Sequence, residues 1–180
     1  VQLARGEYFR WAAHDDVCDR SFLAKAVDVL DRESDVVLCA SKTALVDAEG
    51  TVMRASDDKR PRTGPVLPPL TPRRFDVDSP HKRFLDVLMN SVWGIEFYGL
   101  IRTEVLRSTG LHRPYCLAEK VLLTELALRG RFYELPEVLL FMRYHDEQTS
   151  NVGSVSGQSS LLTSSRARRL VLPSRMPSSA

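Results

Sequence analysis

Two adjacent carboxylates with a histidine beside them, His14-Asp15-Asp16, are the side chains of this sequence best suited to chemistry. They follow an apolar and aromatic run, Tyr8–Ala13, which Gly6 precedes. Such a bounded run predicts a buried strand, and carboxylates at its carboxyl end would project into the crevice where open α/β sheets bind ligands. Paired carboxylates there suit a hard divalent cation that in turn binds a diphosphate. The alternative is that they are, with Asp19, solvated turn residues leading into the next helix.

Alternating helices and strands that can position these side chains are predicted along the chain. Apolar residues at three- and four-residue steps, with capping signals, predict helices at Phe22–Arg32, Pro80–Asn90, Thr103–Thr109 and Glu119–Leu128. β-Branched and aromatic runs predict strands at Val36–Ala40, Thr43–Asp47, Thr51–Met53, Phe97–Ile101, Phe132–Glu134 and Val138–Arg143. Asp47–Gly50 is predicted to be a hairpin turn. This order indicates an α/β fold.

The inward faces of two of these helices are also predicted from the spacing. In the helix after Ser79, the residues expected to face the core are Phe84, Leu85, Val87 and Leu88. In the fourth helix, one face is expected to carry Val121, Leu122, Glu125 and Leu128.

Two segments depart from this pattern. Ser56–Arg74 contains five prolines and a set of basic residues, so a loop with polyproline character is predicted. Long loops are commonly functional, and this one lies either over an active site, where its cations meet phosphates, or in solvent. From Ser150 the chain is rich in serine and arginine, and a disordered tail is predicted. The predicted domain is 1–149 and the tail is 150–180.

Composition limits the class of protein. The chain of 180 residues has 43% hydrophobic and 27% charged residues and a formal net charge of +2, which fits one globular domain and gives no case for nucleic-acid binding. No apolar run is long enough to span a bilayer. Cys18, Cys39 and Cys116 are too widely spaced for a zinc knuckle or a disulfide framework, so free thiols in a reducing, cytoplasmic compartment are expected.

The acidic run and its surroundings resemble family 2 glycosyltransferases, which are inverting sugar transferases of the GT-A fold. The resemblance begins with Gly6-x-Tyr8-x-x-Trp11-x-x-His14-Asp15-Asp16, followed by Phe22-Leu23. It continues through Val36–Asp47, Phe97–Arg102 and Glu119–Phe132 to His145, and so covers roughly the first five-sixths of the chain. It implies a partial GT-A-like mixed sheet flanked by helices, with the nucleotide-binding half of the domain preceding Val1.

The resemblance implies a role for each residue of the acidic run. Asp16 is expected to ligate Mn²⁺ or Mg²⁺, with Asp15 acting through the nucleotide ribose or the metal's water shell. His14 stands where the family has an acidic residue, and it is expected to be a polar group beside the metal. A histidine in the region of His145 can approach the metal or the diphosphate, although a histidine at a strand end is also an ordinary surface residue.

Glu119 is the candidate catalytic base. It begins a predicted helix, where the helix dipole favours the ionised carboxylate that a base requires. The resemblance puts the family's base at the same step, more often as aspartate. The alternative is that Glu119 only caps the helix.

Aromatic residues near the acceptor side are a further candidate. The resemblance places Gly94–Gly99 near the acceptor and the sugar, where Trp93, Phe97 and Tyr98 would stack on sugar faces. Aromatic residues in a predicted strand are more often core, and the core interpretation is preferred here.

The function expected from these features is metal-assisted sugar transfer from a nucleotide-sugar donor to a saccharide, lipid-linked or protein hydroxyl. Two other classes remain open: a non-catalytic binding or scaffold domain, and a metal-dependent nucleotidyl or phosphoryl transferase, which uses the same carboxylates and cation. The expected location is the cytoplasm, with peripheral association at the inner face of the membrane left open.

Overall fold

A computed structural model describes residues 1–53, 78–91 and 94–144. These residues form an α/β fold, which confirms the predicted class. The strands are β1 (Tyr8–Phe9), β2 (Val17–Cys18), β3 (Val36–Val46), β4 (Leu100–Arg102) and β5 (Arg131–Arg143). The helices are α1 (Phe22–Arg32), α2 (Pro80–Asn90), α3 (Thr103–Arg107) and α4 (Ala118–Arg129), with a 3₁₀ helix at Ile95–Tyr98.

The strands form one mixed sheet in the order β1-β4-β3-β5-β2. β3 and β5 are parallel, and the other neighbours are antiparallel. β3 is central and buried along nearly its whole length, because long β5, short β4 and the flanking helices cover it. Its apolar, β-branched sequence suits a strand buried on both faces.

β5 is one strand of 13 residues, where two strands broken by Pro136 were predicted. The register passes from Ser41 opposite Leu135 to Lys42 opposite Val138, so Pro136 falls in the irregularity between these pairs. A proline lacks the N–H that a ladder needs, and a bulge is a position where a sheet tolerates it.

Two apolar clusters lie on opposite faces of the sheet, because neighbouring strand residues point in opposite directions. On one face α1 packs with Phe22, Ala26 and Leu30 against the sheet. On the other, α2, α3 and α4 pack through residues that include Val87, Leu106, Leu122, Leu123 and Leu126.

The predicted inward faces of α2 and α4 are largely wrong. In α2, Leu85 and Leu88 are exposed and Arg83 is buried with Val87, because Arg83 Nε donates to the carbonyl of Ala127 at the end of α4. In α4, Val121 and Leu128 are exposed, and the core side carries Leu122, Leu123, Leu126 and Ala127. The apolar residues of α4 occur around its whole circumference, so their spacing does not select one face.

The predicted hairpin turn at Asp47–Gly50 is confirmed. Asp47 Oδ1 accepts the N–H of Thr51 at 2.7 Å, and Gly50 has a φ of 89°. An antiparallel bridge then joins Val46 and Val52.

The acidic run lies in a segment that crosses the sheet. The predicted strand Tyr8–Ala13 is only two residues long, β1, which pairs with β4 at one edge. The next strand, β2, pairs with β5 at the opposite edge. Residues 10–16, called the crossing segment below, therefore have to pass from one edge to the other.

Several predictions lie outside the described residues. These are the loop Ser56–Arg74, the roles of Trp93 and His145, and the tail from residue 150 with its domain boundary. None of the helices that the structure describes is long and apolar enough to cross a membrane.

Candidate functional site

Asp16 is tied to the carboxyl end of β5. The backbone N–H of Arg143 donates to Asp16 Oδ1 at 3.0 Å. Burial raises the pKa of the Asp16 carboxyl, and neighbouring Asp15 raises it further, against the lowering effects of the Arg143 N–H and of the Arg10 and Arg143 charges. The folded protein therefore disfavours the ionised form of Asp16, and a cation bound beside it would stabilise that form.

Arg143 holds the crossing segment at this end of the sheet. Its Nε donates to the carbonyl of Asp15 at 3.1 Å, and its Nη1 donates to the carbonyls of Asp47 and Ala48. Because β3 and β5 are parallel, their carboxyl ends meet here. The carboxylates thus lie at the carboxyl ends of parallel strands, as ligand sites in α/β sheets do, although the strand is β5 and not their own.

His14 and Asp15 differ in their surroundings. The His14 side chain is 95% exposed and that of Asp15 is 22% exposed, with His14 Nδ1 3.7 Å from Asp15 Oδ1. Asp15 therefore lies in the protein surface beside Asp16, whereas His14 projects into solvent.

Asp19 is the residue of this stretch for which the turn interpretation fits. Its Oδ1 accepts the N–H and the hydroxyl of Ser21, at 2.8 and 2.6 Å. These bonds lower the pKa of the Asp19 carboxyl, the opposite direction to Asp16. Asp19 thus makes the side-chain hydrogen bonds of the turn before α1, and Asp15 and Asp16 are not needed for them.

A row of rings links the crossing segment to the amino end of α4. Trp11 stacks on Phe97 with ring centroids 4.1 Å apart and an interplanar angle of 21°, and Phe97 contacts His112 at 5.5 Å. His112 Nε2 lies 3.3 Å from Glu119 Oε1. Phe97 is 7% exposed, so the preferred core interpretation is confirmed for that ring.

Tyr98 follows Phe97 and contacts both this row of rings and the crossing segment, through its ring and through its carbonyl, which accepts the Arg10 Nε–H. Burial raises the pKa of this phenol, and the charges of Asp16, Glu119 and Asp15 raise it further. The crossing segment and α4 therefore both contribute negative charge at this half-buried phenol.

Two residues near Tyr98 in the sequence, Glu96 and Gly99, position it. The 3₁₀ helix that contains it includes Glu96, which is 2% exposed and whose Oε2 accepts the Ser91 hydroxyl at 2.7 Å. Gly99 follows, and a Cβ on it would lie 2.8 Å from the carbonyl oxygen of Cys39 in β3. Only glycine permits this close approach, which holds Tyr98 against the central strand.

Glu119 lies in the first turn of α4, as predicted. Among the described residues its carboxylate makes its hydrogen bond to His112 and none to the backbone of its own helix. Glu119 therefore does not cap α4 through a side-chain hydrogen bond. A Cβ on Gly94 would lie 3.7 Å from that of Glu119, so the chain before the 3₁₀ helix passes close beside the carboxylate.

The loop that leads into Glu119 has a strained backbone at both ends. Leu111 and Leu117 have φ values of 57° and 61°, in the left-handed region. This conformation costs an L-residue roughly 1–2 kcal/mol, and such strain concentrates at functional sites. Leu117 is the N-cap residue of α4 and is 69% exposed, so apolar burial does not offset this cost.

The donors present fit a hard divalent cation. Asp15 and Asp16 offer carboxylate oxygens, and within the described residues Asp16 Oδ2 makes no hydrogen bond. In residues 1–53, 78–91 and 94–144, no three His, Cys, Asp or Glu side chains form a complete metal centre. Mg²⁺ commonly takes one or two carboxylates and completes its shell with phosphate and water. Asp16 and Asp15 fit that kind of site.

The sequence did not single out three residues that shape this site: Arg10, His112 and Arg143. Arg143 had a visible signal, since it is a cation at the end of a predicted strand, two residues before His145. Arg10 and His112 had none, because their roles depend on contacts between distant segments.

No protein-family model matches this sequence, and a comparison with curated proteins finds no match. The residues and their geometry are therefore the basis for a functional proposal.

Proposed function

We propose that this chain carries the metal–diphosphate site and the catalytic base of an inverting glycosyltransferase of the GT-A type, similar to the family 2 enzymes. The donor is a nucleotide-sugar, the cation is Mn²⁺ or Mg²⁺, and the acceptor is a hydroxyl of a saccharide, lipid-linked or protein substrate.

The observation that carries the proposal is the row of rings from Trp11 through Phe97 to His112, which joins the segment that carries Asp15 and Asp16 to Glu119 at the amino end of α4. Sugar transfer needs a cation site for the leaving diphosphate and, apart from it, a base for the acceptor. Glu119 contacts His112, and the rings of Phe97 and His112 lie along the path from it to Trp11 of the crossing segment. This arrangement supports a base beside a cation site better than it supports a third metal ligand.

In the proposed reaction, the acceptor oxygen attacks the anomeric carbon as the bond from that carbon to the diphosphate oxygen breaks. The nucleoside diphosphate leaves with the bonding electron pair, and Glu119 accepts the hydroxyl proton. Asp16 and Asp15 would hold the cation, which when bound neutralises charge on the leaving diphosphate. Attack opposite the leaving group inverts the anomeric centre.

Binding of Mn²⁺ and inorganic pyrophosphate tests the metal site in the chain itself, without the nucleotide-binding part. Free Mn²⁺ is measured by electron paramagnetic resonance, and pyrophosphate affinity by calorimetry at saturating Mn²⁺. We expect Mn²⁺-dependent pyrophosphate binding in the wild type and its loss in Asp16→Asn. The matched control is Asp28→Asn, which changes an exposed carboxylate paired with Arg32 on α1 and should bind as the wild type does.

Turnover then separates the three functional classes, measured in the gene product that contains this chain. Transfer from a nucleotide-sugar to an acceptor, lost in both Asp16→Asn and Glu119→Gln, supports the proposal. Nucleotide turnover with no acceptor present would indicate a phosphoryl or nucleotidyl transferase. A wild type that binds neither pyrophosphate nor nucleotide in Mn²⁺ would refute the proposal and favour a scaffold domain.

A further inference from the structure

Arg10 lies in the crossing segment beside Asp16 and is held on two sides. Its Nε donates to the carbonyl of Tyr98 at 2.9 Å, and its guanidinium lies over the ring of Phe22, 5.2 Å from the centroid. Its side chain lines a small pocket together with Cys18, which lies two residues after Asp16. The side chain is half-buried and its plane is fixed.

The two terminal nitrogens of Arg10 have no hydrogen-bond partner among the described residues. These nitrogens carry four of the five N–H donors of a guanidinium, in the planar fork that matches phosphate oxygens. An arginine fixed through Nε alone presents that fork without further loss of side-chain freedom.

Arg143, the other arginine that acts on Asp16, differs in this respect. Its Nε and Nη1 donate to the backbone carbonyls of Asp15, Asp47 and Ala48, so it ties the crossing segment to the sheet. Arg143 is therefore part of the scaffold, and Arg10 has donors available for a ligand.

A second group of arginines also binds carbonyl and carboxylate groups of the protein itself. A cleft of about 450 Å³ at the amino ends of β3 and β5 is lined by Arg83, Arg102, Arg129 and Arg131, among others. The first three donate to backbone carbonyls at or beyond the ends of α4, α1 and α3. Arg131 is paired with Glu33 and Asp35. These contacts neutralise negative helix ends, and they distinguish this cleft from an anion site.

We propose that Arg10 is a direct anchor for the diphosphate, donating from its terminal nitrogens to phosphate oxygens bound beside Asp16. This inference rests on the proposed function, since it assigns the second contact of the same leaving group. Asp16 supplies the cation side of the site and Arg10 supplies hydrogen bonds from the protein. Tyr98 belongs to the same site, because its carbonyl accepts the Nε–H of Arg10 and so fixes the direction of the guanidinium.

The positive charge of Arg10 should weaken the binding of Mn²⁺ and strengthen the binding of phosphate. Removing this charge should therefore change the two affinities in opposite directions, which a purely structural role would not do. A cation beside Asp16 repels Mn²⁺ but attracts phosphate. In Arg10→Met, which keeps a long side chain over Phe22, we expect Mn²⁺ alone to bind as well as or better than in the wild type. Pyrophosphate at saturating Mn²⁺ should bind about 10- to 100-fold more weakly, the loss of a hydrogen bond to a charged group.

Three comparisons complete the experiment. Arg10→Lys, which keeps the charge but not the fork, should recover only part of the pyrophosphate affinity. Arg20→Met, an exposed arginine just before α1, should leave both affinities unchanged. UDP and GDP should lose the same factor as pyrophosphate in Arg10→Met, because the contact is to the diphosphate that all three share.

The outcomes separate this inference from the proposed function. A wild type that binds Mn²⁺ and pyrophosphate, with Arg10→Met within twofold of it, overturns the role of Arg10 and leaves the proposed function standing. A parallel fall in Mn²⁺ affinity, pyrophosphate affinity and Tm in Arg10→Met would mean that Arg10 only supports the fold, which also overturns it. A wild type that binds no pyrophosphate overturns both.

Discussion

Replacing Asp16 by asparagine should stabilise the protein when no metal is present. The burial-raised pKa means that the folded state disfavours the ionised carboxylate more than its neighbours compensate for it. Asparagine removes the charge and keeps an oxygen for the Arg143 N–H. The bond becomes weaker by about 1 kcal/mol when its acceptor is neutral, but the direction of the pKa shift shows that desolvation is the larger effect.

The expected gain is about 0.5–1 kcal/mol at neutral pH, the lower part of the range for a stabilising substitution. For a chain of 180 residues this corresponds to a rise in Tm of about 1–4 °C. With Mn²⁺ and pyrophosphate at about 100 times Kd, the wild type gains about 2.7 kcal/mol and the variant gains nothing. The order of the two melting temperatures should therefore reverse when ligand is added.

The dependence on pH follows from the same shift. Below the ordinary carboxyl pKa of 3.8, Asp16 is protonated in both the folded and the unfolded state, and the charge carries no penalty. The penalty appears as pH rises through the unfolded and then the raised folded pKa, and it is complete above the latter. The difference in Tm between Asp16→Asn and the wild type should thus be present at pH 7 and disappear in acid.

Asp19→Asn is the control with the opposite sign. Its lowered pKa means that ionised Asp19 stabilises the fold above pH 3.8, and that this contribution is lost as pH falls through the folded pKa. The substitution should lower Tm at pH 7. Scanning calorimetry of both variants across pH measures the two effects. A lower Tm for metal-free Asp16→Asn at pH 7 would refute the reasoning, since it would mean that the carboxylate–Arg143 bond outweighs desolvation.

Three further predictions follow from single contacts. Glu119→Gln should keep the contact with His112 and melt within about 1 kcal/mol of the wild type, while the transfer rate of the full gene product falls about 10²–10⁴-fold; unchanged turnover would place the base elsewhere. Gly99→Ala should lower the free energy of unfolding in urea by about 1–3 kcal/mol, because its Cβ would meet the Cys39 carbonyl at 2.8 Å. Burial raises the pKa of the Cys39 thiol to about 12, so it should react with a thiol reagent at pH 8 only after unfolding, which mass spectrometry of the labelled peptide would detect.

Local sequence signals were sufficient for elements that depend on local physics. The bounds of α1 and α2 agree with prediction, because α1 has a complete apolar repeat and α2 has a proline at its first position. The turn at Asp47–Gly50 agrees because its side-chain hydrogen bond spans four residues. The prediction for β5 was wrong at Pro136, because a bulge accommodates this proline within the strand. The bulge depends on pairing with β3, which the local sequence does not reveal.

The candidate site depended much more on contacts between distant segments. The sequence indicated Asp16 and Glu119 as residues for chemistry, but nothing in it shows that both act on Tyr98. The bond from Arg143 to Asp16 joins residues that are 127 positions apart. The crossing segment was mistaken for a strand because its apolar pattern is that of a strand, and only the edge positions of β1 and β2 decide its path.

Two costs in stability fall on residues of the proposed site, one at Asp16 and one in the loop before Glu119. Leu111 and Leu117 adopt left-handed backbone conformations, and the carboxylate of Asp16 is held where burial disfavours its charge. Each of these features lowers stability, and within the described residues no packing contact of the exposed Leu117 offsets its strain. Strain and desolvation at candidate residues, while α1 and the hairpin follow their local rules, support the proposed ligand site. Because a cation at Asp16 would turn its desolvation from a cost into binding energy, the metal-free protein should be the less stable state of this molecule.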